Sequence, residues 1–248
     1  MSKMVLLDAR LYMGGADLSG DGNQIELTEE TETKTTTNWR SAGAREVIGG
    51  LADTDLSADG YFEAGNLSLP DDAFWAQRRQ TVPVSVAPEG DGDTGVGGLM
   101  YLTKMLTTSR QLLGGSVGDV ASWTASAKGN WPLARGVVAH PSMVARTATG
   151  NGTSINLGAI PAGKHLYANL HVLSIAGTAT PSLTVNVQSD DGTGFATPTT
   201  RGSFAAKTTI TGEAIRIAGA VTDTWWRVTW TISGTNPSFL FLVSLGIE

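Results

Sequence analysis

Apolar and polar residues alternate with a period of two along most of this chain, the pattern of strands with one buried face. Leu166, Ala168, Leu170 and Val172 share one parity, as do Leu183, Val185 and Val187. So do Trp226, Val228, Trp230 and Ile232, and again Phe239, Phe241, Val243 and Leu245. Beyond Pro141 the pattern predicts strands over Met143–Thr149, Thr153–Ile160, His165–Ile175, Leu183–Ser189, Phe204–Thr209, Ala214–Ala220, Trp225–Ser233 and Phe239–Ile247. Short strands separated by Gly, Asn, Asp and Pro turns read as a two-sheet sandwich. Before Pro141, strands are predicted over Val5–Met13, Asn23–Thr28, Thr81–Ala87, 98–110, 119–128 and Ala134–Ala139. Pro83 marks its strand as an edge or a strand start. Within 119–128, Ser122, Thr124 and Ser126 alternate with Trp123, Ala125 and Ala127, so one face is wet and small and the other apolar. One segment, Leu67–Gln80, follows helical logic instead. It offers Ser68 as N-cap, Pro70 in the first turn, Asp71 and Asp72 at the positive end of the dipole, and Phe74 and Trp75 to dock on a sheet.

One stretch resists the pattern. Between Ile25 and Leu27 on one side and Leu56, Ala58, Tyr61 and Phe62 on the other lies a polar segment, Glu29–Arg45. It is too hydrophilic for a core and too long for a hairpin loop, which usually has about 2–5 residues. Its Thr-rich, charge-alternating run has β propensity but little apolar surface to offset the entropy of ordering. The segment is therefore expected to be floppy alone and to be held by neighbouring subunits. Glu29, Glu30, Glu32, Lys34, Trp39, Arg40 and Arg45 are its candidate contact residues. Trp39 either packs on its own domain or anchors in a neighbour, since Trp is enriched at interface hot spots.

Composition narrows the chemistry. The 248 residues include 31 Gly and no Cys, which removes disulfides, thiolate metal sites and Cys nucleophiles. No apolar run is long enough to span a membrane. MSKMVLLDAR is too short and charged for a signal peptide, so folding in the cytoplasm is expected. Residues 1–140 hold 18 acids against 11 bases, whereas residues 141–248 hold 5 against 6. The acidic half lacks the Lys/Arg clusters that neutralise phosphate and would instead let DNA pass without sticking. PEGDGDTGVGG, residues 88–98, reads as a flexible acidic loop.

Catalytic and metal motifs fail on context. Gly114–Gly118 matches G-x-S-x-G, but a nucleophile elbow needs a strand before it and a helix after it, and here both flanks read as strand. His140, His165 and His171 lack metal spacing, and His165 and His171 are expected on a solvated sheet face. Asp17, Ser19, Asp21 and Glu26 resemble a calcium loop with Thr28 where the bidentate Glu belongs. Asp190-Asp191-Gly192 reads as a turn. No catalytic site, cofactor or metal is assigned.

The order of segments carries a resemblance. DLSGDGNQIEL runs into the polar arm and then WRSAGAREVIGGLADTDLSADGYFEAG, followed by DDAFWAQRRQ. GLMYLTKMLTTSRQ, GSVGDVASWTASAKGN and ARGVV come next, and a distal segment runs from ATGNGTSINLG to the final FLFLVSLGIE. In this order the chain resembles the major tail tube proteins of long-tailed, actinophage-type bacteriophages with an added C-terminal domain. The resemblance implies an all-β fold with one short flanking helix. Residues 1–140 would form a tail-tube-type two-sheet barrel carrying the arm, and residues 141–248 a jelly-roll-like β-sandwich decoration. It further implies a virion protein assembled in the host bacterial cytoplasm, in hexameric rings stacked into a tube for genome ejection. Partners would be further copies of itself, tail terminator, tape measure and baseplate proteins, and DNA passing without specific binding. Two alternatives stand beside it: a minor tail or baseplate protein, and a carbohydrate-binding adhesin presenting Tyr167 and Trp225 to host glycans.

Overall fold

A computed structural model describes residues 5–89 and 95–248; the middle of the acidic loop expected at 88–98 lies outside the described residues. Among the described residues the chain is all-β with one short helix and a large antiparallel sheet. The strands are β1 (Arg10–Met13), β2 (Ala16–Asp17), β3 (Gly22–Thr35), β4 (Val47–Tyr61), β5 (Thr81–Ala87), β6 (Leu99–Gly114), β7 (Ser122–Gly129) and β8 (Ala134–His140). They continue with β9 (Gly150–Asn151), β10 (Ile155–Asn156), β11 (His165–Asp190), β12 (Thr199–Ser203), β13 (Thr211–Ala218) and β14 (Trp225–Ile247). The helix α1 is Pro70–Ala76.

The centre is a curled sheet, ordered β2-β1-β5-β6-β8-β14-β11-β13. Its far ends nearly meet, because the β1–β2 turn and β13 touch through glycines. A Cβ at Gly15 would lie 2.5 Å from the Thr211 nitrogen, and one at Gly212 would lie 2.5 Å from the Gly14 carbonyl oxygen. The curl is filled by Tyr12, Met100, Leu102, Val138, Tyr167 and Leu242 and by a buried polar seam. The Gly14 carbonyl can only accept, so His171 Nδ1–H donates to it at 2.7 Å, and Nε2 accepts from the Ser85 hydroxyl at 2.9 Å. Asn169 Nδ2 donates to the carbonyls of Val84 (2.9 Å) and Thr103 (3.0 Å). Tyr12 with Ser142, and Ser85 with Ser244, add hydroxyl pairs at 3.0 Å. Asn169 Oδ1 has no hydrogen-bond partner among the described residues, but the pairings that the seam does make fix one register between layers. Hydrogen bonding runs through the compositional break at Pro141, because β8 pairs with both β6 and β14.

Two long elements leave the centre and build outer layers. The second half of β6 pairs with β7, then come β4 and β3. This four-stranded sheet packs one face on β1, β5 and α1 through Leu11, Met13, Phe74, Val84, Trp123 and Leu56. On the opposite side, β11 and β14 form one ribbon that folds over on itself. Trp230 pairs near Val185 and Phe241 pairs with Val172, yet their rings are 5.8 Å apart. The bend lies at register shifts, with positive φ at Gly177 (123°), Ala179 (56°), Gly234 (119°) and Asn236 (47°). The two halves enclose Leu166, Leu170, Val187, Trp226, Val228 and Phe239, all essentially inaccessible. Each such side chain contributes about 1.5–3 kcal/mol on burial.

Several expected elements differ. The pairs His165–Ile175 with Leu183–Ser189, and Trp225–Ser233 with Phe239–Ile247, are each one strand; Gly177, Pro181, Gly234 and Pro237 read as strand-ending turns but mark a bend within the ribbon. Residues 143–149 form no strand and touch Phe239 by a single bridge at Arg146. The first strand begins only at Arg10, leaving Val5, Leu6 and Leu7 exposed. The helix is half the expected length, and its N-cap is Leu69, without a side-chain cap. Ser68 is held away from that role by Asn66, whose Oδ1 accepts from the Ser68 amide at 2.9 Å.

Candidate assembly interface

The polar segment is not a loop. β3 and β4 pair from Gly22–Gly60 to Thr35–Val47, so Glu29–Thr35 is strand and the connection is residues 36–46. Alternating Thr on one face and charge on the other let two strands satisfy each other's backbone without a core. β7 supports β4 only from Asp55 onward. Beyond that point the ribbon is two strands wide and projects roughly 25 Å at the rise of a β-strand. Lys128 sits at the root, donating to Asp53 and Asp55 at 3.0 Å. Hydrogen bonds to Asp55 and Asp53 raise its pKa.

The tip makes hydrogen bonds within its own chain. The amides of Asn38 and Arg40 donate to Ser41 Oγ (3.0 Å) and Asn38 Oδ1 (2.9 Å), and the Thr36 amide extends the ladder to the Glu46 carbonyl at 2.9 Å. Arg45 Nη2 donates to Thr35 Oγ1 at 3.3 Å, and Lys34 pairs with Glu32. Trp39 is wholly exposed, so it does not pack on its own chain. Sequence reasoning missed Val47, Ile48 and Leu51, which are 50%, 57% and 80% exposed on the returning strand. Their signal was present: three large apolar residues in EVIGGLAD, with no apolar residue in the facing Glu- and Thr-rich run to receive them.

Among the described residues the four-stranded sheet has one uncovered face and two unpaired edges. Leu56, Ala58, Trp123, Ala125 and Ala127 point into the core. Ser122, Thr124 and Ser126 therefore point outward, level with Asp59 and Ser57 on β4 and Gln24 and Glu26 on β3. Five carboxylates, of Glu26, Glu30, Asp53, Asp55 and Asp59, share this face with Lys128. Among the described residues the outer edge of β3 pairs with no strand, and β6 beyond Leu106 pairs on one side only, with β7. Long unpaired edges are templates for another chain.

Gly114–Gly118 passes from β6 toward β7, strand to strand. His171 is fully buried in the seam, not on a solvated face, and His140 stacks on Phe241 with centroids 4.0 Å apart. Burial holds both imidazoles near pKa 4. Asp223 accepts from Ser189 at 2.6 Å and from Arg201 at 2.9 Å, which holds its carboxyl below the usual range. No group of three or more metal-ligating residues occurs among the described residues. Tyr167, expected to face outward, is 5% exposed beneath Trp131, with ring centroids 5.5 Å apart, because its parity on β11 points into the curl. Trp225 is half-buried, paired between Asp190 and Asn156.

No family model and no curated relative matches the chain. Solved structures similar to it include a chain of the virion of a native gene transfer agent particle, at 18% identity and TM-score 0.41, covering 52% of this chain and 95% of that one. A chain from the tail of an empty gene transfer agent particle with C6 symmetry follows at 19% identity and TM-score 0.39, covering 50% and 94%. The SPP1 Dit protein, described as a paradigm of the hub adsorption apparatus in phages infecting Gram-positive hosts, covers 97% of this chain and 99% of its own at 11% identity and TM-score 0.34. At these scores the likenesses carry no weight of their own.

Proposed function

We propose that the chain is a non-enzymatic structural subunit of a bacteriophage tail, which closes into rings that stack as a tube. The observation that carries this reading is the four-stranded sheet β6-β7-β4-β3. It has a buried face, an acidic face with no cover, two free edges and a ribbon projecting past its end. Copies joined edge to edge close into a barrel and leave no edge exposed. The acidic face then lines the lumen and repels the phosphate backbone of passing DNA. In this reading the folded ribbon of β11 and β14 lies outermost and forms the decoration. The β3–β4 ribbon reaches the next ring, with Trp39, Arg40 and Leu51 as contacts.

Negative-stain microscopy and sedimentation of the purified protein test this. Rings or rods with a central channel are expected. A protein that stays monomeric at the highest attainable concentration contradicts the reading. Single rings that never stack, together with a few copies per virion, point to the hub or baseplate alternative. Excising residues 31–52 and joining Glu30 to Asp53 through an Asn-Gly turn fits the hairpin geometry. That variant is expected to melt like the parent and to form no rods.

A further inference from the structure

The two free edges of the four-stranded sheet differ in charge. Along β6, the groove beside Leu106–Arg110 is lined by Arg78, Arg79 and Arg110. Arg78 and Arg79 are exposed, and Arg79 holds a left-handed φ of 62°, a conformation a bulky residue rarely adopts. Arg110 is anchored by donating to the Phe74 carbonyl. Arg78 lies over the Trp75 ring at 5.2 Å. Among the described residues, none of the three has a salt bridge to a carboxylate. Along β3, the free edge carries Glu26, Glu29, Glu30 and Glu32, all exposed, with Lys34 as its one base.

We infer that the acidic edge of β3 in one copy pairs, antiparallel, with the arginine-bordered edge of β6 in a second copy, bringing Glu29 against Arg78 and Arg79. This rests on the ring reading above and names the lateral contact within it. Direction agrees: successive strands β3, β4, β7 and β6 are each antiparallel to the last, so the next copy's β3 runs antiparallel to β6. Level agrees as well. Thr107 is paired to Ala127, Ala127 to Leu56 and Leu56 to Leu27, so without stagger Thr107 meets the next copy's Leu27. Below Leu106 the edge of β6 is already taken by β5, which begins at Thr81. The incoming strand must therefore leave the ladder just where residues 78–80 turn away, and the next residues along it are Thr28 and Glu29. Main-chain pairing supplies the affinity and the charge match sets direction and register. Because the contact joins unlike edges, it is heterologous and propagates until the rotation closes a ring.

The test is a charge exchange read by sedimentation and microscopy. Arg78→Glu with Arg79→Glu, and separately Glu29→Arg, are each expected to raise the concentration needed for ring formation by about tenfold or more. Melting temperatures should stay unchanged, since all three side chains are exposed. A chain carrying all three substitutions is expected to form rings near the parent concentration. Parent-like assembly by the separate variants, or failure of the combined chain to recover while remaining folded, overturns the pairing and leaves the tail reading standing. Failure of the unaltered protein to form rings at all is the distinct outcome that defeats the tail reading itself. Arg78→Gln with Arg79→Gln, which adds no repulsion, should fall between parent and reversal.

Discussion

The molecule contains two long antiparallel ribbons, and they end differently. β11 and β14, of 26 and 23 residues, bend in the middle and close face on face. β3 and β4, of 14 and 15 residues, stay extended and project past their own sheet. The difference lies in what one face carries. Along β14, Trp226, Val228, Trp230, Phe239, Phe241, Val243 and Leu245 all point the same way and are buried. Folding over is the cheapest way to remove that surface from water. Along the projecting part of β3 the corresponding positions are Glu29, Thr31, Thr33 and Thr35. Nothing there rewards a fold-over, so the ribbon keeps its backbone edges and its few apolar groups available to another molecule. A ribbon satisfied by its own halves builds a core; the proposed function gives the one left unsatisfied the assembly role.

The sharpest way to break this contrast is to truncate one large apolar side chain in each ribbon. Trp226→Ala, in the folded ribbon, is expected to cost about 3–5 kcal/mol. Leu51→Ala, in the extended one, is expected to stay within about 0.5 kcal/mol of the parent while shortening the rods. Denaturant melts give the first quantity and microscopy the second. Equal losses of stability would mean that the β3–β4 ribbon is also part of a core.

A smaller effect separates the ribbons by pH. His171 and His140 are neutral in the folded protein, with pKa values near 4 because burial penalises the imidazolium. The unfolded chain, with imidazoles near 6.5, takes up protons that the folded one refuses. Stability from these groups is therefore complete above pH 6.5 and falls as pH drops from 6.5 toward 4, by up to roughly 3 kcal/mol for each imidazole. His171→Asn is expected to be less stable at pH 8 and to show a shallower loss between pH 6.5 and 4. Stability that is flat over that range would contradict the neutral seam.

The legible part of the fold was its local alternation. Strand content and the wet face at Ser122, Thr124 and Ser126 follow from period-two patterning, and the segment Glu29–Arg45 stands out by departing from it. What sequence did not disclose was whether a Gly or Pro ends a strand or bends it. Gly177 and Pro181 were read as turns and sit inside one 26-residue strand, because a bend and a turn use the same residues. The seam was equally hidden. His171 and Asn169 share a parity that looked solvated, and only the curl of the sheet over Ser85 and Gly14 makes it an interior. At the candidate interface, Trp39 and the glutamates were visible by their isolation, whereas Arg78 and Arg79 looked like the end of a helix that actually stops at Ala76.

The smallest expected effect on stability concerns the free acidic face. Glu26→Lys with Asp59→Lys should change stability within about 0.5 kcal/mol. Assembled tubes of that variant should retain double-stranded DNA at low salt and release it as salt rises, whereas parent tubes should not retain it. Identical behaviour would move the lumen to another face.

The difference between the ribbons is most directly tested by hydrogen exchange measured on the same protein as free subunit and as assembled rods. Amides of residues 30–35 and 47–54 are expected to exchange within seconds in the free subunit and to slow by at least about tenfold in the rod, while those of β11 and β14 stay slow in both. Equal protection of the β3–β4 ribbon in the two states would show that it is not buried by a neighbour, and the account of it as the assembly element would be wrong.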